Sequence, residues 1–295
     1  MFHPGETSVQ RRAGIHAAAH GSAAVGDEIP AVAEEFLSAQ RMVVVAAERD
    51  GAMWTSALAG PPGFLQAVGA STVRIGAELP EGDPLAGAFD AAAEIGMIAL
   101  EPATRRRMRI NGRARAEAGG LRVDAAQVYA NCPKYIQTRH AEPAPPTPLH
   151  RTEGTSLTPS QVDWVSGADT FFIGTVAPGL GADASHRGGS PGFVEADAHR
   201  ITWPDYTGNS MYMTFGNLEL DPRAGLLFID WDTGHTLHVS GTAAVDWDPD
   251  RAAAHPGAHR LIDFDVERVV QLDHRLPLRW RLERRSRFNP PAKGR

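Results

Sequence analysis

A single cysteine, Cys132, in 295 residues excludes an internal disulfide and a cysteine-held iron–sulfur cluster. No obvious base accompanies it, so it reads as a packed thiol rather than a nucleophile. No apolar run near the N-terminus is long enough for a secretory signal or a membrane span, so a soluble, cytoplasmic protein with no membrane partner is expected. Basic residues are not in excess. The 29 Lys and Arg against 35 Asp and Glu leave a net charge of −6, which argues against a general nucleic-acid partner. The 12 histidines are scattered along the chain and no Cys-x-x-Cys accompanies them, so no metal site is expected. Neither a Walker phosphate loop nor a dinucleotide fingerprint occurs, so a reductant such as NAD(P)H or a reductase would have to come from outside. The one local basic excess, Arg279, Arg281, Arg284, Arg285, Arg287, Lys293 and Arg295, reads as a solvated C-terminal tail.

What the chain does have is concentrated between Gly181 and Asn217. Two small-residue turns are expected there. The first, Asp183 to Gly189, sets Ser185, His186, Arg187 and Gly188 side by side, joining hydroxyl, imidazole and guanidinium donors to backbone that can approach a ligand closely. The second, Pro204 to Asn209, carries Tyr206, Thr207, Gly208 and Asn209. These residue types suit an anionic ligand. His186 reads either as a hydrogen-bonding neighbour or as a general acid or base, since imidazole titrates near neutrality. Trp203, Tyr206, Tyr212 and Phe215 could stack on a flat ring, although core packing is the default for most of them.

The remainder reads as mainly β. Residues from Phe2 to Gly14 look irregular, and a helix is expected over Ile29 to Ala39 with Val32, Phe36 and Leu37 on its apolar side. Strands are expected at Met42 to Ala47, Trp54 to Leu58, Ile95 to Leu100 and Met108 to Ala116, with a turn at Gly60-Pro61-Pro62-Gly63. In the last of these strands Met108, Ile110 and Gly112 alternate with Arg107, Arg109, Asn111 and Arg113. Arg105, Arg107 and Arg109 then share a cationic face that would be costly to bury unless an anion met it.

The chain also matches itself. Shifted by 129 positions, Ser56 meets Ser185, Gly60 meets Gly189, Pro62-Gly63-Phe64 meets Pro191-Gly192-Phe193, Gly96 meets Gly225 and Gly112 meets Gly241. Val43-Val44 falls on Phe172-Ile173, and Met97-Ile98 on Leu226-Leu227. A duplicated β unit follows. Residues 1–140 hold a helix and the first copy, 141–150 the Pro-rich linker, and 151–295 the second copy with its basic tail. Ser56-Ala57-Leu58 replaces Ser185-His186-Arg187 in the first copy, so one working site is expected from the pair.

The runs Asp183 to Val194, Trp203 to Asn209 and Asp221 to Phe228 resemble the pyridoxamine 5'-phosphate oxidase-like family of flavin-binding split β-barrels. Gln127 to Gln137 is similar to the end of the first copy in its tandem-barrel members. The likeness spans about Phe2 to Trp280. It implies a mainly β protein of two tandem six-stranded split barrels with flanking helices, forming an intrachain pseudo-dimer, either monomeric or again paired as a homodimer. It implies one FMN between the halves, with Ser185, Arg187, Gly188, Tyr206, Gly208 and Asn209 on the cofactor and Arg107, Arg109 and Lys134 reaching it from the first barrel. An FMN-dependent oxidoreductase of a small-molecule substrate follows, with a non-catalytic flavin, deazaflavin or haem binder as the alternative. Two departures stand out. Relatives often carry Arg where this chain has Tyr206 and near Met211, and the C-terminal Arg and His pattern that grips vitamin B6 substrates is not found.

Overall fold

The computed structural model describes residues 2–15, 25–130, 133–145 and 147–291. The chain begins with a helix, α1 (Pro4–Arg12), where an irregular segment was expected. His3 caps it, accepting from the Glu6 amide while the Glu6 carboxylate takes the His3 amide, and Pro4 opens the first turn. Histidine is an uncommon cap, which is why the start is poorly legible in sequence. After α2 (Ala31–Ser38) come β1 (Met42–Arg49), β2 (Ala52–Ala59), β3 (Leu65–Gly69), β4 (Thr72–Ile75), β5 (Ala93–Glu101), β6 (Arg106–Glu117) and β7 (Gly120–Ala130). On α2 Phe36 and Leu37 are buried as expected, but Val32 is 81% exposed, because Ala33 takes the inward position. Arg105 is not on the strand face with Arg107 and Arg109; it forms the left-handed end of the preceding turn (φ 57°).

β8 (Thr138–Pro143) and β9 (His150–Gly154) lead to α3 (Pro159–Gly167), β10 (Thr170–Ala177), β11 (Gly181–Gly188), β12 (Glu195–Ala196) and β13 (Arg200–Tyr206). Then follow α4 (Met213–Leu220), β14 (Arg223–Ile229), β15 (Thr236–Asp246), α5 (Pro249–Ala253), β16 (Ala258–Asp273) and β17 (Leu278–Arg284). Two antiparallel sheets result, ordered β2-β1-β5-β6-β7-β4-β3 and β11-β10-β14-β15-β16-β13-β12. The orders are the same strand for strand, with seven strands in each path rather than six, and β9 adds to β16 in the second. Among the described residues no helix is long and apolar enough to cross a membrane.

The duplication is thus visible in topology, with one correction of register. Val43 pairs with Leu58 and packs in the first core, whereas Phe172 pairs with His186 and packs between the halves. Val43 corresponds to Phe171 instead, so the first strand is shifted by one residue relative to the others. A one-residue slip exchanges the two faces of a strand, and sequence matching of short apolar runs cannot detect it.

Each half has its own core, around Val43, Leu65 and Phe89 in the first and Phe171, Trp203 and Phe264 in the second. A third cluster, including Val44, Ala46, Met53, Phe172 and Leu227, is shared between them. The contact is pseudo-symmetric. A Cβ on Gly96 would lie 2.4 Å from the Asp183 carbonyl carbon, and one on Gly225 would lie 2.8 Å from Trp54 Cα. Backbone meets backbone at both places, so neither can yield. Gly96→Val is therefore expected to cost about 1–3 kcal/mol or more, read as a lower melting temperature; an unchanged melt would show that the halves can move apart.

The C-terminal segment is not a solvated tail. β17 pairs with β8, which takes the first residues of the expected linker, and Trp280 is buried edge-on against Trp231 at 5.0 Å. Further on, Asn289 Nδ2 donates to Gln137 Oε1 and to the Gly189 carbonyl. Counting charges missed this, because Leu278 and Trp280 find their apolar partners far away in sequence. Arg281, Arg284, Arg285 and Arg287 remain exposed, while Cys132, Lys293 and Arg295 lie outside the described residues.

Candidate functional site

The segment expected to be the first turn is a strand. β11 pairs residue for residue with β10, Ser185 opposite Ile173, His186 opposite Phe172 and Arg187 opposite Phe171. Its small residues allow the other half of the chain to cross it closely, as at Gly96, rather than to turn. Pro204 likewise lies in β13 opposite Leu261, with the turn beginning after Tyr206. Proline is tolerated there because β12 pairs only with Ile201 and Thr202, which leaves that side of β13 without a ladder.

β11, β13 and the turn after it enclose a cavity of about 340 Å³ at the boundary of the two halves. Ser185, His186, Arg187 and Gly188 line it from β11, and Tyr206, Gly208 and Asn209 from β13 and its turn. From the first half β6 contributes Arg107 and Arg109, and Ala13 and Ile15, after α1, close one side. Of the expected cofactor residues only Lys134, half-buried, does not line it. Its neighbour Tyr135 does, 5.3 Å from the Tyr206 ring and donating to the Thr207 carbonyl. Trp203 and Phe215 are buried core residues with Tyr206 and Tyr212 packed against them, and all but Trp203 also line the cavity.

Behind the cavity wall Asp183 joins the halves. Arg109 donates to it in a buried ion pair, as do Asn111 Nδ2 at 3.2 Å and Tyr129 Oη at 3.0 Å, all from the first half. Burial opposes the Arg109 charge, and Asp183 more than restores it. Burial raises the Tyr129 phenol well above its ordinary value. Thr214 of α4 bridges Asp183 and Ser185.

The cavity is cationic. Arg107, Arg109, Arg187 and Arg260 line it together with one carboxylate, Asp205, and Asp183 stands behind. Among the described residues Arg187 makes no ion pair within 4.0 Å. Burial pushes its guanidinium down to about 10, with Asp205 acting in the opposite sense. His186 is held neutral, its pKa well below the ordinary value through burial and then Arg107, Arg187 and Arg139. Because Arg107 can only donate to its Nδ1 (3.3 Å), the proton resides on Nε2. That Nε2 is buried and has no partner among the described residues.

The counterpart positions in the first half are occupied by their own network. Ser56 donates to Asp83 at 2.6 Å, Asp83 pairs with Arg275, and His238 stands where the other copy has Arg109, bonded to the Thr55 carbonyl and Thr236. The adjoining groove, about 670 Å³, carries Asp50, Glu81, Asp83 and Glu153 against Arg49, Arg151 and Arg268, so it has no excess of positive charge.

Sequence reasoning missed Asp183 as a structural partner, Thr214, Tyr135 and above all Arg260. A lone acid in Ala-Asp-Ala was a faint signal of burial. Arg260 gave none, because a charge at a strand start is usually solvated.

Fold and cavity define a tandem, mainly β protein with a cationic site between its halves. Residues 157–272 match the family model described as pyridoxamine 5'-phosphate oxidase. No curated protein matches the chain. Among solved structures, HupZ of Group A Streptococcus is similar at 13% identity, covering 38% of this chain and 92% of its own, with a TM-score of 0.32. A candidate pyridoxamine 5'-phosphate oxidase from Lactobacillus delbrueckii is similar at 18% identity, covering 39% and 93%, with a TM-score of 0.33. The inhibitor of motility of Bacillus subtilis covers 77% of this chain and 87% of its own at 7% identity, with a TM-score of 0.20.

Proposed function

We propose that the cavity binds one FMN and that the protein is an FMN-dependent oxidoreductase acting on a small molecule. The observation that carries this reading is Arg187, a guanidinium on the cavity wall that makes no ion pair within 4.0 Å among the described residues, with Arg107, Arg109 and Arg260 on the same cavity. An anionic ligand would offset such a charge. The donor set fits a flavin mononucleotide: Arg187 and Arg107 for its negative charge, Ser185, Thr207 and Asn209 for polar oxygens, and Tyr206 and Tyr135 as flat apolar walls. Bound FMN would supply reversible one- and two-electron chemistry. Arg109, locked to Asp183, keeps the first half against the second, so the cavity walls are positioned before a ligand arrives. His186, neutral and protonated at Nε2, serves as a hydrogen-bond donor rather than as a charged acid, so it positions groups without adding positive charge.

The visible spectrum, recorded after adding excess FMN and desalting, tests this. Flavin bands are expected to persist in the wild type. Arg187→Ala is expected to weaken FMN binding about 10- to 100-fold, the scale of one lost hydrogen bond to a charged group, with the fold intact. Unchanged retention in that variant, or none in the wild type, argues against the reading. Reduction of the bound flavin by NAD(P)H, followed by reoxidation by a defined acceptor, separates an enzyme from a non-catalytic binder; a Soret band in place of flavin bands indicates haem.

A further inference from the structure

The helix that begins at the cavity has an open N-terminus. α4 starts after Tyr212, which is left-handed (φ 59°) and whose side chain makes no capping hydrogen bond, and among the described residues no other side chain is bonded to the amides of the first turn. Met213, Thr214 and Phe215 of that turn line the cavity. First-turn amides lack intrahelical partners and carry the positive end of the helix dipole, an arrangement that suits an oxyanion.

A second feature at the same place points to a ligand. Arg260, on β16, is 7% exposed and lies over the rings of Trp247, Tyr212 and Phe215 at 4.5, 5.1 and 5.9 Å. Its Nε is 3.3 Å from Asp205 Oδ2, and its NH2 donates to the Tyr212 hydroxyl at 3.3 Å. Its NH1 is buried without a hydrogen-bond partner among the described residues, although the side chain lines the cavity. Such a donor is costly unless something accepts from it. Two of its ring contacts are the cap and a first-turn residue of α4, so guanidinium and open helix end stand together.

We infer that Arg260 NH1 and the first-turn amides of α4 form the oxyanion subsite of the cavity and take the phosphate monoester end of its ligand. This deepens the flavin reading and rests on it for the identity of the ester. Arg187, on the same cavity wall, adds its charge toward that anionic end.

The test compares binding of FMN, riboflavin and inorganic phosphate to the full chain. Arg260→Gln alone leaves Asp205 buried without its partner, so it is paired with the double variant Asp205→Asn, Arg260→Gln, and circular dichroism establishes that both are folded. Wild type is expected to prefer FMN to riboflavin by about 100-fold, and the double variant to lose about 10-fold or more of that preference. Riboflavin affinity is expected to change less than about threefold, since the phosphate is absent from it. An unchanged FMN-to-riboflavin ratio in the folded double variant overturns the subsite while leaving flavin binding standing. If neither flavin binds the wild type, the flavin reading fails and phosphate decides. A saturable change in tryptophan fluorescence that the double variant loses supports the subsite, and no response, or one that persists in the variant, overturns it.

Discussion

Asp183→Ala is expected to lower stability by about 3–5 kcal/mol, the range for breaking a buried ion pair from one side. The alanine leaves Arg109 buried and charged, and it removes the acceptor used by Asn111, Tyr129 and Thr214. Three of those four donors belong to the first half, so the damage falls on the boundary. In thermal denaturation the melting temperature is expected to fall by about 10 °C. The double variant Asp183→Ala, Arg109→Leu should recover part of the loss, because the uncompensated charge goes with the pair. A loss below about 1 kcal/mol would mean that water reaches the cluster and that the halves are not held there.

The second large effect is a pH dependence from Glu6. Its side chain is 1% exposed on α1, where burial, with Asp183 adding to it, raises the carboxyl from an ordinary 4.5 to about 7. The folded state therefore binds a proton more tightly than the unfolded chain. Stability from this group is fully present below about pH 4.5 and is lost as pH rises to about 7, amounting to about 3 kcal/mol. Denaturant unfolding at pH 5 and pH 8 checks it. Glu6→Gln should remove this part of the slope and be the more stable form at pH 8. A wild-type slope equal to that of the variant would place the carboxyl in water. The charge acts on more than α1 itself, since α1 packs on α4 with Gly5 against Gly216, and Ala13 and Ile15 line the cavity.

Several parts of this site were legible without coordinates. Arg187, Ser185, Tyr206 and Asn209 stood out because they cluster locally, and Arg107 and Arg109 because a strand that alternates with cations implies a buried or occupied face. Lys134 and the basic C-terminus misled for one reason: charge in a sequence reports composition, not direction. Lys134 is close to the cavity in sequence, yet its neighbour Tyr135 enters, while the basic tail hides Trp280. The glycine- and serine-rich run at Asp183 looked like a turn, since small residues permit turns. Here they permit a strand to be crossed at backbone distance.

By itself the sequence determined the mainly β class, the duplication, the loss of cationic residues from the first copy and the candidate ligand chemistry. Those properties rest on local periodicity, on turn residues and on comparison of one half with the other. Tertiary structure alone decided the one-residue register of β1, the Asp183 cluster, the place of α1 on the second half and the presence of Arg260 at the start of α4. Each depends on which strands become neighbours. Pairing of β13 with β16 sets Asp205 opposite Arg260, 55 positions apart, and no local pattern encodes that meeting.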